Sequence, residues 1–170
     1  MLYQDMLDTS ACAMLLPTEV ARKYSFPVGK YHEDELTTYK YYSSVKKVAV
    51  TTKSLYFYLQ RRGSIMHVFG QASIDELEAA DNLVQVCQDN WPDLLNAAKS
   101  KKFSDYCQVL LSYPNIKNDY RDIHKRIMEY LLTNRVAIIL DKRTRRKNKI
   151  AALLLLGGET ALRYGARFKR

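Results

Sequence analysis

The chain has 170 residues, which suits one modest domain or a domain with a tail. Its 47% hydrophobic and 26% charged residues are typical of a globular protein and argue against intrinsic disorder. Three widely spaced cysteines without a Cys-x-x-Cys pair argue against a disulfide scaffold and favour a reducing cytoplasm. No signal peptide is legible, and the longest apolar run, Ile150 to Leu156, is far shorter than the ~20 residues of a membrane-spanning helix.

The net charge of +9 is concentrated near the C-terminus. Residues 1–134 hold 16 basic and 16 acidic side chains, whereas residues 135–170 hold 11 basic and only 2 acidic ones. A neutral body with a basic tail favours an anionic surface as partner. We expect a membrane surface contacted through residues 142–170 rather than nucleic acid, because no nucleic-acid motif or aromatic platform accompanies the cations. A solvated tail that only aids solubility is one alternative. A helix packed on the body, with its basic residues solvated, is another.

The first part of the chain predicts a mixture of helix and strand. Pro17 favours the start of a short helix, and Phe26-Pro-Val-Gly-Lys30 predicts a tight loop. The acidic run Glu33-Asp34-Glu35 then opens a helix that reaches about Ser44. Residues 48–51 and 55–59 alternate in polarity and predict two strands of a β-hairpin.

The remainder predicts helices. Ser73 and Glu76 fit a capping box at the start of the first, a second covers Phe103 to Leu111, and a third begins near Asp119. In the basic tail, an apolar block between cations predicts an amphipathic helix, which the pair Gly157-Gly158 divides. The expected fold class is α+β, a small α/β piece with a β-hairpin followed by a helical region, divided into residues 1–70, 71–134 and 135–170.

Motifs for a serine nucleophile, a metal site or a phosphate-binding loop are absent from the sequence. The acidic run is the best candidate for chemistry, because a carboxylate at a junction between loop and helix can act as a general base toward a hydroxyl. Carboxylates at helix starts are also common as caps, so this alternative stays open.

Several pieces in order resemble the middle of bacterial family 2 glycosyltransferases. They are Ala11-Cys-Ala-Met-Leu-Leu16, then Phe26-Pro-x-Gly-Lys-x-His-Glu-Asp-Glu35, and finally Leu55-Tyr-x-Tyr-x-Gln-Arg61 with Ser64-Ile-Met66. Those enzymes have the GT-A fold and carry a Phe-Pro-x-Gly loop that leads into a Glu-Asp motif. The resemblance covers about residues 11–66.

The resemblance implies that Asp34 is the catalytic base of an inverting sugar transfer, removing the proton of an acceptor hydroxyl. It implies that Glu33 orients the acceptor or caps the helix, and that Gln60 and Arg61 approach the acceptor or the diphosphate leaving group. The tyrosines crowded between positions 39 and 58 are compatible with contacts to a sugar, since each offers an apolar face and a hydroxyl. A saccharide or a lipid-linked acceptor is the implied partner, and polysaccharide biosynthesis for the cell envelope the implied process.

The sequence departs from the family in two respects. Ala13-Met-Leu-Leu16 stands where members carry an Asn-Lys-Leu-Tyr-like run, and no Asp-x-Asp motif for a divalent metal occurs. We therefore expect the C-terminal portion of such an enzyme, inactive unless another chain supplies the nucleotide-binding half. No metal or cofactor is expected in this chain, whereas a full-length enzyme would use Mg²⁺ or Mn²⁺ with a nucleotide-sugar. The expected location is cytoplasmic, at the inner face of the membrane; the alternative function is a non-catalytic membrane-surface or scaffold module.

Overall fold

The computed structural model describes residues 2–3, 9–59 and 69–167. Within these ranges the chain forms helices connected by short turns and loops. The helices are α1 (Thr18–Lys23), α2 (Thr38–Ser44), α3 (Gln71–Asn90), α4 (Leu95–Ser112), α5 (Ile116–Asp119), α6 (Arg121–Leu140), α7 (Arg146–Leu154) and α8 (Gly158–Arg167), with 3₁₀ turns at Pro92–Leu94 and Leu155–Gly157.

The predicted α+β fold with a β-hairpin is wrong, because the described residues contain no strand and form an all-α structure. Residues 48–51 and 55–59 are extended but make no strand ladder within the described ranges. Their apolar side chains are exposed, with 76% of Leu55 and 86% of Phe57 accessible to solvent. Alternating polarity is typical of a strand whose apolar face packs against another part of the protein. No described part of the chain packs against the apolar side chains of residues 55–59.

Several of the predicted helices are present in the structure. A short helix follows Pro17, and α6 begins two residues after Asp119. The predicted helix from Phe103 to Leu111 lies inside the longer α4. The capping box is wrong, because α3 already begins at Gln71 and the hydroxyl of Ser73 donates to the hydroxyl of Tyr113.

The core lies between the long helices α3, α4 and α6. The turn Pro92–Leu94 joins α3 to α4 and lets them pack against each other as a helical hairpin. Their fully buried side chains form one continuous cluster with those of α6, including Leu77, Phe103, Leu110, Ile127 and Leu131. This cluster gives α3 and α4 a rigid face, onto which residues 29–37 fold.

The basic C-terminal region belongs to the same body. The predicted boundary between residues 134 and 135 falls inside α6, and α7 and α8 fold back onto α6. Ala152, Leu155 and Leu162 lie in the core cluster and are at most 2% exposed. Gly158 has a φ of +80°, which a glycine adopts without strain, and it separates α7 from α8 as the glycine pair predicts.

None of the helices that the structure describes has both the length and the hydrophobicity needed to cross a lipid bilayer.

Candidate functional site

The candidate site is the segment of residues 29–37 that precedes α2, called here the acidic loop. Its backbone turns sharply, with Gly29 at a φ of +76° and His32 at +54°. The left-handed conformation costs a residue with a Cβ roughly 1–2 kcal/mol, so His32 needs surrounding contacts to stay in place. The carbonyl of Asp34 accepts hydrogen bonds from the N–H groups of Thr37 and Thr38 at 3.1 and 2.8 Å, which leads the chain into α2.

Asp34 lies half-buried at the centre of the acidic loop. Its Oδ1 accepts a hydrogen bond from the N–H of Glu35 at 2.9 Å, and no ion pair among the described residues includes it. Burial raises its pKa, and the negative charges of Glu35 and Glu33 add to this rise, while the N–H groups of Glu35 and Ala11 oppose it. Asp34 is therefore a stronger base than an exposed aspartate.

The structure gives less information about the other predicted site residues, Glu33, Gln60 and Arg61. Glu33 is exposed beside Asp34, consistent with a side chain that meets a ligand or only solvent. Gln60 and Arg61 lie outside the described residues. Cavities of about 420 and 280 Å³ occur elsewhere on the described surface, and Asp34 lines neither of them. The described residues thus bring together Asp34 and Glu33 alone.

A buried ion pair connects the acidic loop to α4. Lys101 is 2% exposed, and its Nζ donates to Oε1 of Glu35 at 2.8 Å and to both carboxylate oxygens of Asp105 at 2.7 Å. Burial alone would lower the pKa of Lys101, but the carboxylates of Asp105 and Glu35 outweigh it and raise that pKa. Lys101 is therefore a fixed cation that holds Glu35 against α4.

Glu76 on α3 completes this charge cluster. It is 6% exposed, and its Oε2 lies 3.9 Å from Nε2 of His32. Burial raises the pKa of Glu76 to about 8, the charges of Asp105 and Glu35 add to the rise, and Lys101 opposes it. Glu76 is thus mainly protonated at pH 7. Burial also raises the pKa of Asp105, to about 7, and the cation of Lys101 opposes that rise. The protonated Glu76 therefore adds no further negative charge to the group around Lys101.

Asp75 provides a second connection between the acidic loop and α3. It is 1% exposed, its Oδ2 accepts the N–H of Tyr31 at 2.9 Å, and its Oδ1 accepts Nζ of Lys30 at 3.0 Å. Burial alone would raise the pKa of Asp75, but the hydrogen bonds from Tyr31, Gln71 and Lys30 lower it overall. The backbone on the N-terminal side of Asp34 is therefore fixed by an ionised carboxylate.

Sequence reasoning missed the residues that hold the acidic loop. Glu76 was assigned to a capping box, and Lys101 and Asp105 were not singled out. The only local signal is the spacing of Lys101 and Asp105, which places both on one face of a helix. Glu35 lies 66 positions from Lys101 along the chain, and no periodicity reports such a contact.

The charge cluster does not fit a divalent metal. Three carboxyl groups, those of Glu35, Glu76 and Asp105, interact electrostatically with one another, but the ammonium of Lys101 already binds two of them, Glu35 and Asp105. A cation there would be repelled by Lys101 and would have to displace hydrogen bonds of 2.7–2.8 Å. In the described part of the chain, no group of three or more histidine, cysteine or acidic side chains could hold a metal ion.

Comparison with models of protein families, with curated proteins and with solved structures gave no significant match. The resemblance to family 2 glycosyltransferases therefore depends on the sequence motifs alone.

Replacing Lys101 with methionine should destabilise the protein. The substitution leaves the buried carboxylate of Asp105 and the partly buried carboxylate of Glu35 without their cation. Breaking a buried pair in this way costs about 3–5 kcal/mol. Lys101→Met should lower the free energy of unfolding by that amount in urea titrations. Lys125→Met, on the exposed face of α6, is the control and should change it by less than about 0.5 kcal/mol. Equal effects of both substitutions would contradict the assignment.

Glu76 should make the stability dependent on pH. Its pKa is about 8 in the folded state against 4.5 when unperturbed, so the folded protein retains a proton that the unfolded chain has released. The free energy of unfolding should therefore fall as pH rises from about 4.5 to 8, by up to about 1.4 kcal/mol per unit from this group. Asp105, whose pKa burial raises to about 7, should add to the decline below pH 7, so the contribution of Glu76 is clearest between pH 7 and pH 8.

Glu76→Gln removes this proton and should flatten the decline, measured by urea denaturation between pH 5 and pH 9. Glu129→Gln, at an exposed position of α6, should leave the slope unchanged. A decline in the Glu76→Gln protein as steep as that of the wild type would show that Glu76 does not retain the proton.

Proposed function

We propose that the chain forms the acceptor side of an inverting sugar transfer, with Asp34 as the general base. The observation that carries the proposal is that Asp34 is free of ion pairs among the described residues, while buried contacts fix its neighbours on both sides. Asp75 binds Tyr31 and Lys30 before it, and Lys101 binds Glu35 after it. A base that must meet a hydroxyl within hydrogen-bond reach needs this positioning.

The proposed step transfers one proton and exchanges one bond. The acceptor hydroxyl gives its proton to the carboxylate of Asp34 as its oxygen forms a bond with the anomeric carbon of the donor sugar. The bond between that carbon and the diphosphate of the nucleotide breaks on the opposite face, and the diphosphate leaves with the electron pair. The raised pKa of Asp34 favours proton transfer, because a stronger base takes more of the proton in the transition state.

The donor half of this reaction has to be supplied from outside the described residues. The resemblance implies a divalent metal in the donor half, where it would offset the charge that develops on the diphosphate. The extended residues 48–59 expose the side chains of Leu55, Phe57 and Leu59, and exposed apolar side chains that lie together can mark an interaction surface. We propose that the nucleotide-sugar-binding part covers this segment, which would bring donor and acceptor together.

A membrane-surface role is the second candidate, and the outer face of α7 favours it. Ala152 and Leu155 point into the core, but Ile150, Leu153 and Leu156 are 51–62% exposed. Lys142, Arg143, Arg146 and Lys147 are exposed on the same C-terminal segment. Apolar side chains among cations suit an anionic lipid surface. This role is compatible with the first, since a lipid-linked acceptor would be met at the membrane.

Asp34→Asn tests the proposed function. The amide keeps the size of the side chain but cannot accept the proton, so incorporation of labelled sugar into surface polysaccharide should fall at least tenfold in cells that carry this variant. Glu33→Gln, one residue away, should retain most of the incorporation. Protein amounts are compared by immunoblotting. Normal incorporation with Asp34→Asn would contradict the role of this carboxylate.

The purified chain is the companion test. Supplied with nucleotide-sugars and Mg²⁺, it should release no nucleoside diphosphate above the background rate. Measurable release would show that the donor part is not needed from another source.

A further inference from the structure

The cavity of about 420 Å³ lies away from the acidic loop, between α2, the C-terminal half of α3 and the start of α4. Its volume is within the range of small-molecule sites, about 300–1,000 Å³. The floor is apolar, formed by Leu83, Cys87 and Ala97. None of the functions considered above uses this cavity.

Aromatic rings form one wall of the cavity. Tyr39 and Trp91 meet edge to face, with ring centroids 6.3 Å apart and planes at 76°. Tyr39 is 8% exposed and its hydroxyl donates to Asn82, so the pair is held in one arrangement. Tyr42, one helical turn after Tyr39, lines the same wall. Such a wall suits a ligand with one flat apolar face.

Charged and polar groups lie at the rim. The guanidinium of Arg143 stacks on the ring of Tyr3, 4.7 Å from its centroid, and no ion pair in the described residues includes Arg143. Tyr3 is itself fixed, because its hydroxyl donates to Oδ2 of Asp141 at 2.8 Å. The carboxylate of Asp93 and the hydroxyl of Ser43 also line the cavity. The rim therefore offers an oriented cation together with hydrogen-bond acceptors.

We propose that this cavity binds a pyranose that carries an anionic group, either a carboxylate or a phosphate. The apolar face of the sugar ring would lie on Trp91, with the nearly perpendicular ring of Tyr39 beside it. The anionic group would pair with the fork of donors on Arg143. Asp93 and Ser43 would accept hydrogen bonds from the ring hydroxyls. A purely aromatic ligand would leave these rim groups unpaired, which makes it the weaker fit.

Trp91 is the single tryptophan of the chain, so its fluorescence reports on the cavity directly. In titrations of the full chain, glucuronate and glucose-6-phosphate should each change this fluorescence saturably in the millimolar range or below. Glucose, which lacks the anionic group, should bind at least tenfold more weakly. Inorganic phosphate should bind more weakly than the phosphorylated sugar, because it has no face to lie on the aromatic wall.

Variants decide whether the cavity is the site. Arg143→Gln should weaken binding of glucuronate about tenfold, whereas Lys142→Gln, which removes the same charge from an exposed neighbour outside the lining, should not. Ala97→Phe fills the floor and should abolish binding, with folding verified by circular dichroism. If Ala97→Phe does not fold, the difference in glucuronate affinity between Arg143→Gln and Lys142→Gln still tests whether the cavity is the binding site.

Four results would overturn the proposal. They are no saturable change with either anionic sugar, equal affinity for glucose, equal affinity for inorganic phosphate, and equal loss in Arg143→Gln and Lys142→Gln. Asp34 does not line this cavity, so the two proposals depend on different residues. Failure of the catalytic proposal therefore leaves this one standing, and failure of this one leaves the catalytic proposal standing.

Discussion

The fold of the acidic loop depends on one buried ammonium group. Lys101 lies within 2.8 Å of carboxylates from two parts of the chain, Asp105 on its own helix and Glu35 in the loop. Away from water, the attraction between such charges is many times stronger than at the surface, but it must offset the cost of desolvating each of them. The net gain in stability over an apolar contact is therefore small, although removing Lys101 alone is costly because the carboxylates then lose their cation. The main effect of the ion pair is to fix the position of the loop. It determines where Asp34, the residue before Glu35, stands.

The conformation of the acidic loop is unfavourable on its own, so the loop needs stabilising contacts such as the ion pair with Lys101. His32 adopts a left-handed backbone, and the hydroxyls of Thr37 and Thr38 are buried without a hydrogen-bond partner in the described structure. A buried polar group left unpaired costs about 1–3 kcal/mol. These residues flank Asp34, the group proposed to act on a ligand. The contacts of Lys101 and Asp75 offset this cost and keep the loop in one conformation.

Local patterns in the sequence predicted much of the helical body. Pro17 indicates the start of α1, and the sequence near Asp119 indicates the start of α6, because helix ends depend on neighbouring residues. The prediction of a β-hairpin at residues 48–59 was wrong. Alternating polarity indicates that one face of a segment is buried, but it does not show which part of the protein buries it. The charge cluster was not predicted for a similar reason, because Glu35 and Lys101 are far apart in the sequence and come into contact only in the folded chain. The sequence motifs indicate Asp34 as a candidate base, and that role stays a prediction. The residues that hold its loop could not be predicted from local patterns.

Hydrogen exchange at the N–H of Thr38 tests the central claim most directly, because this group donates to the carbonyl of Asp34 at 2.8 Å. Glu35→Gln removes the charge that binds Lys101 while keeping the shape of the side chain. The account predicts that exchange at Thr38 becomes at least tenfold faster in this variant, while core amides of α6 and the Glu33→Gln control keep their protection. Unchanged exchange at Thr38 in Glu35→Gln would contradict it, because the loop would then hold its place without the ion pair.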